Sequence, residues 1–509
     1  MVDSKTIEQN SSIIENVNVR VRRSIKTLLV RQIFLTVLNL VGGIILARTL
    51  GPIPLGLFII SSFIISTFAM LGDFGLGPSF IQRSAELTDR DLQVGFTLQQ
   101  VLTTAVVLVV LLSAPLLTLL YPKAPLETVW LVRVLAFNLY MTSWRAMSAL
   151  KLERQLQYNL LAWIEVVEGV SYQVIAVGLV LTGFGIWSLV WAVLVRSLLG
   201  AVLVYWAAPW RVRLRFDANI TKEVLRFGIP FQMQNLAIQA AEWITPVFVG
   251  AFIGPRAVGL LTWADLNGNR PIVFLYNVMR VAFPHFSRIQ DDRAKVERAL
   301  IKYLTCLLLP AGLWSAILLI NGPTLVEWIF SSKWLPAVPA LMIYSIALSF
   351  DIIGWTVGVA LNGIGLVGFA TRCYLARSLA NIVLSIGLVY CFGFSGVAVA
   401  QLIVVALNIP LLFRGLGQTA MRRVLLPVTW VLLPILMSMM VGSLVNFTSL
   451  STELHILVTT ISMFLVYVAV TWLTCPRWLK DTVIQTLRKY MPAKLASTLR
   501  VAKWHGSEI

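Results

Sequence analysis

Charge is scarce in this chain. Of 509 residues, 13% are Asp, Glu, Lys or Arg, and the acids number 23. A soluble protein of this length needs far more polar surface, so a soluble fold is excluded. Cysteine is scarce as well. Cys306, Cys373, Cys391 and Cys475 show no metal-ligand spacing, which excludes zinc modules and reads as small apolar packing residues. No Gly-x-x-x-x-Gly-Lys-Ser/Thr run is present, so ATP hydrolysis by this chain has no phosphate loop to use. No polar stretch outside the apolar runs is long enough for a separate soluble domain.

What the chain has in quantity is apolar sequence: 58% hydrophobic residues and a mean hydropathy of +0.83. Runs of about 20 apolar residues, enough to cross a bilayer, recur throughout. They are solidly apolar rather than alternating, so the spans are helices. The expected fold is an all-α polytopic membrane protein with fourteen spans near 29–50, 56–80, 96–120, 128–149, 160–182, 185–207, 229–252, 258–284, 299–320, 336–361, 366–390, 394–414, 424–446 and 454–474. The expected organisation is an N-terminal tail (1–28), an N-lobe of six spans (29–207), a basic linker (208–228), a C-lobe of six spans (229–414), two further spans (424–474) and a basic tail (475–509).

The net charge of +18 is explained by placement and does not call for nucleic acid. With both ends in the cytoplasm, the inward segments collect Lys5, Arg20, Arg22, Arg23, Lys26 and Arg31, then Arg211, Arg213, Arg215, Lys222 and Arg226, then Arg288, Arg293, Lys295, Arg298 and Lys302. The outward loops offer little beyond Lys123, Arg256 and Lys333. This is the positive-inside pattern expected of a bacterial inner membrane. The polar first 28 residues do not resemble a cleavable signal peptide. The run at 477–504 places Leu479, Val483 and Leu487 on one face among bases, as expected of basic amphipathic helices on the cytoplasmic leaflet.

The chain also repeats itself. LARTLGPIPLGLF (46–58) and VGAFIGPRAVGLL (249–261) both hold Gly-Pro-x-x-x-Gly, and Gly51, Pro52 and Gly56 recur as Gly254, Pro255 and Gly259 at one offset (254 − 51 = 203). The polar stripe Gln32, Thr36, Asn39 and Gly43 falls on one helical face. At the same offset stand Asn235, Gln239, Glu242 and Pro246. Gly183-Phe184 is echoed by Gly393-Phe394. A duplicated unit of six spans enters and leaves on the same side, so its copies are related by an axis along the membrane normal. Two pseudo-symmetric six-helix lobes with two appended helices are expected. The Gly-Pro elements are expected as tight turns, with proline stopping the helix and glycine taking positive φ.

LARTLGPIPLGLF, the following LGDFGLGPSFIQR (71–83) and FPHFSRIQDD (283–292) resemble the polysaccharide transporter family. Its members are Wzx-type lipid-linked oligosaccharide flippases of the multidrug/oligosaccharidyl-lipid/polysaccharide exporter superfamily. The resemblance implies a non-enzymatic exporter in exopolysaccharide or lipopolysaccharide biosynthesis. Its implied cargo is an oligosaccharide on undecaprenyl pyrophosphate, moved by alternating access. Membrane lipids and a polysaccharide polymerase or export machinery are the implied partners. Two rivals share the superfamily: a lipid II flippase for peptidoglycan, and a drug or cation exporter. A third, a membrane enzyme, would need a large extramembrane loop or a metal-binding carboxylate motif, and neither is found.

Ionisable residues within spans are costly and therefore informative. The deep bases are Arg133, Arg196, Arg270, Arg280, Arg372 and Arg377, with Arg48 near the outer end of the first span; the acids are Asp73, Glu165, Glu168, Glu242, Asp265 and Asp351. A lipid-facing Arg costs about 2.5–3.5 kcal/mol on insertion scales, so most must face the interior, a wet cavity or an interface. Two arrangements are open: acids neutralising arginines pair by pair, or arginines lining a cavity for an anion. Arg270 with Asn277, and Arg377 with Asn381 and Ser385, lie on polar stripes suited to cavity walls. Arg196 and Arg133 are further candidates. Guanidinium pairs phosphate oxygens bidentately and keeps its proton. Gln32, Thr36, Asn39, Asn235 and Gln239 could provide hydrogen-bonding walls for sugars. No cofactor or metal is implied. Proton or sodium coupling would use a buried carboxylate, for which Glu165, Glu168, Glu242, Asp73 and Asp351 are the candidates. For each acid a static salt bridge is the competing role.

Overall fold

The computed structural model describes residues 34–73, 75–82, 88–239, 243–417, 419–445 and 452–481. Among them the secondary structure is helical throughout. In chain order, α1 is Phe34–Leu50, α2 Pro52–Asp73, α3 Leu76–Gln82, α4 Asp89–Ser113, α5 Leu117–Leu120, α6 Glu127–Arg154, α7 Tyr158–Leu181 and α8 Trp187–Ala207. They are followed by α9 Ala218–Gln239, a π-helical stretch Ile244–Val249, α10 Gly250–Phe252, α11 Pro255–Gly268, α12 Ile272–Arg288 and α13 Arg293–Phe330. The series ends with α14 Val338–Gly363, α15 Val367–Phe392, α16 Gly396–Phe413, α17 Ala420–Leu425, α18 Leu432–Val445 and α19 Thr452–Thr474.

Among the described residues nine helical stretches are long and apolar enough to cross a membrane. The chain is a multi-pass, all-α membrane protein. Among the described residues helix lies at the position of every predicted span, but several spans differ from a continuous rod of the expected bounds. The helix of span 7 begins at Ala218, inside the expected linker, and gives way to the π-helical stretch. Span 8 is broken between α11 and α12, where Asn269-Arg270-Pro271 interrupts the ladder. Pro271 explains the break, since it lacks an N–H and restricts the residue before it. Span 9 is a 38-residue helix that continues well past both expected ends. Span 13 passes through a 3-10 segment, Leu426–Val431, before α18.

The Gly-Pro elements are tight turns. Gly51 and Gly254 take φ of +79° and +115°, and Pro52 and Pro255 open the helices that follow, where a missing N–H costs nothing. Gly183 and Gly393 are likewise at positive φ, +91° and +58°.

Contact clustering divides the chain into two units. The first comprises Met1–Asp265, Val326–Ala340 and Ser378–Ala400. Small apolar clusters join its helices: Leu46, Ala176, Val180, Leu189 and Ala192 in one, and Leu152, Leu161, Ile164 and Val204 in another. A third, with Phe80, Phe96, Met147 and Trp210, anchors the segment after α8. The second unit comprises Leu266–Leu325, Leu341–Arg377 and Gln401–Ile509. Its core is one large cluster in which Phe286, Leu304, Leu348, Leu361, Leu412 and Phe413 are buried. In lipid such packing works through dispersion between well-fitted surfaces. Large apolar side chains on the helices' outer faces stay exposed, Leu112 at 79% and Trp206 at 73% among them. Those faces suit acyl chains as solvent.

Candidate functional site

Within the first unit the two Gly-Pro-x-x-x-Gly motifs meet. A β-carbon on Gly56 would overlap the carbonyl of Pro255, and one on Gly259 would overlap the carbonyl of Pro52. The glycines thus let α2 and α11 approach through main-chain atoms. The flanking lysines follow the same exchange. Lys123 donates to Phe252 O at 2.8 Å and packs on Gly254, while the Lys333 side chain packs on Gly51. The Trp334 indole donates to Ala47 O at 3.0 Å and closes the last turn of α1.

Among the described residues, an intramembrane ion pair bridges a helical hairpin in each unit. In the first, Arg145 Nε on α6 lies 3.1 Å from Glu168 Oε1 on α7. Gly200 on α8 leaves room for that carboxylate, since a β-carbon there would overlap it. Glu168 is buried, whereas Glu165 and Arg196 are exposed. Arg196 stands over the Tyr172 ring, 5.9 Å from its centre, within cation–π range. Nearby, Gln173 Nε2 donates to Asn39 Oδ1 at 2.8 Å, in a space that Gly42 leaves open. Thr36 is half-buried on the same helix as Asn39. Arg133, toward the start of α6, covers the Trp130 ring at 5.1 Å.

In the second unit Arg377 Nη2 on α15 lies 2.6 Å from Asp351 Oδ1 on α14, and Gln401 Nε2 on α16 donates to Asp351 Oδ2 at 3.3 Å. The charge order is reversed relative to Arg145 and Glu168, with the acid now on the earlier helix. Arg270 is placed differently. It stands in the break between α11 and α12, half-buried, and its Nε donates to Asn267 Oδ1 at 2.8 Å. Among the described residues no carboxylate forms a salt bridge with it. The Trp314 indole donates to the carbonyls of Asn267 and Gly268, both at 3.2 Å, and holds the broken end of α11.

The first unit also contains a pocket of about 370 Å³ between α2, α4, α6 and α9, lined by Gln99, Thr103, Thr142, Ser143 and Gln232 together with apolar side chains. Sequence reasoning missed these residues and Arg145. The polar pairs Gln99-Gln100 and Thr103-Thr104, one turn apart inside the third span, were the signal available.

Asn381 is half-buried on α15, and its Oδ1 is buried with no recorded hydrogen bond. Asp73, Asn235, Gln239 and Asn277 lie on described helices, but their side chains fall outside the described residues, as does that of Arg280. Gln32 and Glu242 lie outside the described residues altogether, as does most of the 477–504 run.

Comparison with known proteins adds the family. Residues 45–339 match the family described as polysaccharide biosynthesis protein. The chain is similar to the teichuronic acid biosynthesis protein TuaB of Bacillus subtilis (strain 168), 28% identical over 54% of this chain and 57% of TuaB. It is also similar to the succinoglycan biosynthesis transport protein ExoT of Rhizobium meliloti (strain 1021), 28% identical over 58% of this chain and 60% of ExoT. Both matches span less than two thirds of the relative's length. Among solved structures, the lipid II flippase MurJ in an inward closed conformation superposes with a TM-score of 0.72 at 18% identity, covering 89% of this chain and 99% of MurJ. An inward-facing multidrug MATE transporter of the MOP superfamily superposes at 0.54 and 18% identity, covering 82% and 96%. At such identities the likeness is one of fold. The match over 45–339 takes in more than half of the sequence, and the chain belongs to the polysaccharide biosynthesis protein family.

Proposed function

We propose that the chain moves an oligosaccharide linked through pyrophosphate to a polyprenyl lipid across a bacterial inner membrane, for assembly of an extracellular or lipopolysaccharide glycan. In this reading the protein is an exporter rather than an enzyme. Fourteen helices cross the bilayer, both termini face the cytoplasm, and two six-helix lobes expose their cargo site alternately. A polymerase receives the cargo. Family membership and the names of TuaB and ExoT support the glycan.

The observation that carries the reading is Arg270. A pyrophosphate cannot enter hydrocarbon unpaired, and a guanidinium already neutralised by a carboxylate has little left to offer it. Arg377 is neutralised in this way by Asp351. Arg270 is held by a neutral amide instead, which orients it through Nε and leaves its charge available for phosphate oxygens. A helix break is also where membrane transporters place ligand-facing backbone.

The test is polymer export by cells whose only copy carries Arg270→Ala or Arg270→Lys, with membrane levels measured alongside. Arg270→Ala is expected to cut export at least about tenfold, the loss of one charge-assisted contact, while Arg270→Lys retains part of it. Normal export by Arg270→Ala at normal membrane levels would remove Arg270 from the cargo path. Directional transport is proposed to draw on a proton or sodium gradient through Glu168 or Asp351. Unchanged vesicle transport after both gradients are collapsed would rule that out.

A further inference from the structure

Among the described residues, the pocket between α2, α4, α6 and α9 has no charged side chain in its lining. Its polar groups are amides and hydroxyls, and Gln99, Thr103, Ser143 and Gln232 are all buried. Burying amides inside a membrane bundle is unfavourable unless they find partners. Gln99 is 5% exposed. Its Nε2 reaches Gly72 O at 3.4 Å, but its Oε1 is buried with no hydrogen-bond partner among the described residues. Ser143, on α6, accepts from Gln100 Nε2 of α4 at 3.0 Å and donates to Tyr140 O at 2.8 Å. The wall is therefore ordered before any ligand arrives. Phe68, Met70, Val106 and Leu139 supply the apolar remainder.

This combination selects a ligand class. A phosphate or carboxylate would find no cation in the lining. An acyl chain would leave the Gln99 carbonyl as it is, desolvated and unpaired. An uncharged sugar ring fits both features, since a hydroxyl can donate to Gln99 Oε1 once that side chain turns its buried oxygen into the pocket, while the C–H faces rest on the apolar side chains. The volume lies near the lower end of the roughly 300–1,000 Å³ usual for small-molecule sites. We infer that this pocket binds a neutral sugar of the translocated glycan, with Gln99 as the reading group and Ser143 and Gln232 completing the wall. The inference rests on the proposed function and assigns the glycan end of the cargo to residues other than Arg270.

The experiment uses the full chain in nanodiscs and measures affinity for three probes: undecaprenyl pyrophosphate, and the same lipid carrying one glucose or one galactose. Wild type is expected to bind at least one glycosylated lipid roughly tenfold more tightly than the bare lipid, the effect of satisfying a buried unpaired acceptor. Gln99→Leu or Ser143→Ala removes that gain and leaves bare-lipid binding unchanged. The inference is overturned, with the transport reading intact, if wild type binds all three lipids equally. It is also overturned if the gain survives in both variants. Wild type that binds none of the three overturns the inference and the transport reading together.

Discussion

Gly56 on α2 and Pro255 at the start of α11 touch through main-chain atoms, with no room for a β-carbon between them. Gly259 and Pro52 make the same contact in reverse. The two occurrences of one motif, 203 residues apart, thus form a single self-complementary joint.

Substitution at this joint is expected to be felt at once. Gly56→Ala or Gly259→Ala forces a methyl group into a carbonyl oxygen, and overpacking of this kind costs about 1–3 kcal/mol. A lower Tm of the solubilised protein, measured by thermal unfolding, is the expected outcome. Gly43→Ala is the control, because nothing lies within 4 Å of a β-carbon there. It should leave Tm unchanged or raise it slightly.

Asp351 and Arg377 call for a double-mutant cycle. Arg377→Gln leaves the Asp351 carboxylate half-buried with Gln401 as its remaining partner among the described residues, and a loss of about 1–3 kcal/mol is expected. Asp351→Asn added to Arg377→Gln should recover much of it. If the double variant is stable and exports normally, the pair is structural. If it is stable and does not export, Arg377 or Asp351 acts on the cargo or the coupling ion.

The Arg145–Glu168 pair has a simpler test, because the other hairpin carries its charges in the opposite order. Either order therefore suits an α-hairpin of this geometry. Arg145→Glu and Glu168→Arg should each lower Tm, and the exchanged pair should regain most of the loss. An exchanged pair no more stable than the single variants would show that Gly200 and its neighbours fix the acid on α7.

Outside the membrane, Asp217 caps the start of α9. Its Oδ1 accepts from Asn219 N at 3.0 Å and Ile220 N at 3.3 Å, while Oδ2 accepts from the Arg90 guanidinium. The Ile220 N–H, with Arg90 and Asn219 N–H adding to it, holds this carboxyl below the usual range. A depressed folded-state pKa gives a contribution fully present above the unfolded value of about 3.9 and lost as pH falls through the lower folded value. Asp217→Asn should therefore melt below wild type at pH 7, and the gap should narrow as the pH falls below the unfolded value and through the lower folded one. A gap independent of pH would mean that the carboxylate's charge is not what holds the cap.

Several of these features are legible in the sequence, and the reasons differ. The Gly-Pro turns were legible because proline and positive-φ glycine act locally. That they touch was not, since no local rule links residues 203 apart. Asp351, Arg377 and Glu168 stood out as costly charges, but Arg145 was passed over. A hairpin rule would have found it, because the midpoint of Arg145 and Glu168 falls in the turn at 155–157, and that of Asp351 and Arg377 at 364. In an antiparallel hairpin such residues face each other. The break at Arg270 was written in Pro271 but hidden by the apolar run around it. Gln99 escaped because an amide bears no charge, and its importance lies in what its carbonyl fails to meet.

The joint at Gly56 and Gly259 has one more consequence. Main-chain atoms are the same in every residue, so a stop built from them reads no chemistry and has no rotamers to rearrange. If the Gln99 pocket holds a sugar as proposed, its lining can then drift, residue by residue, toward a different carbohydrate without disturbing this seam. One chassis could in this way serve many polymers.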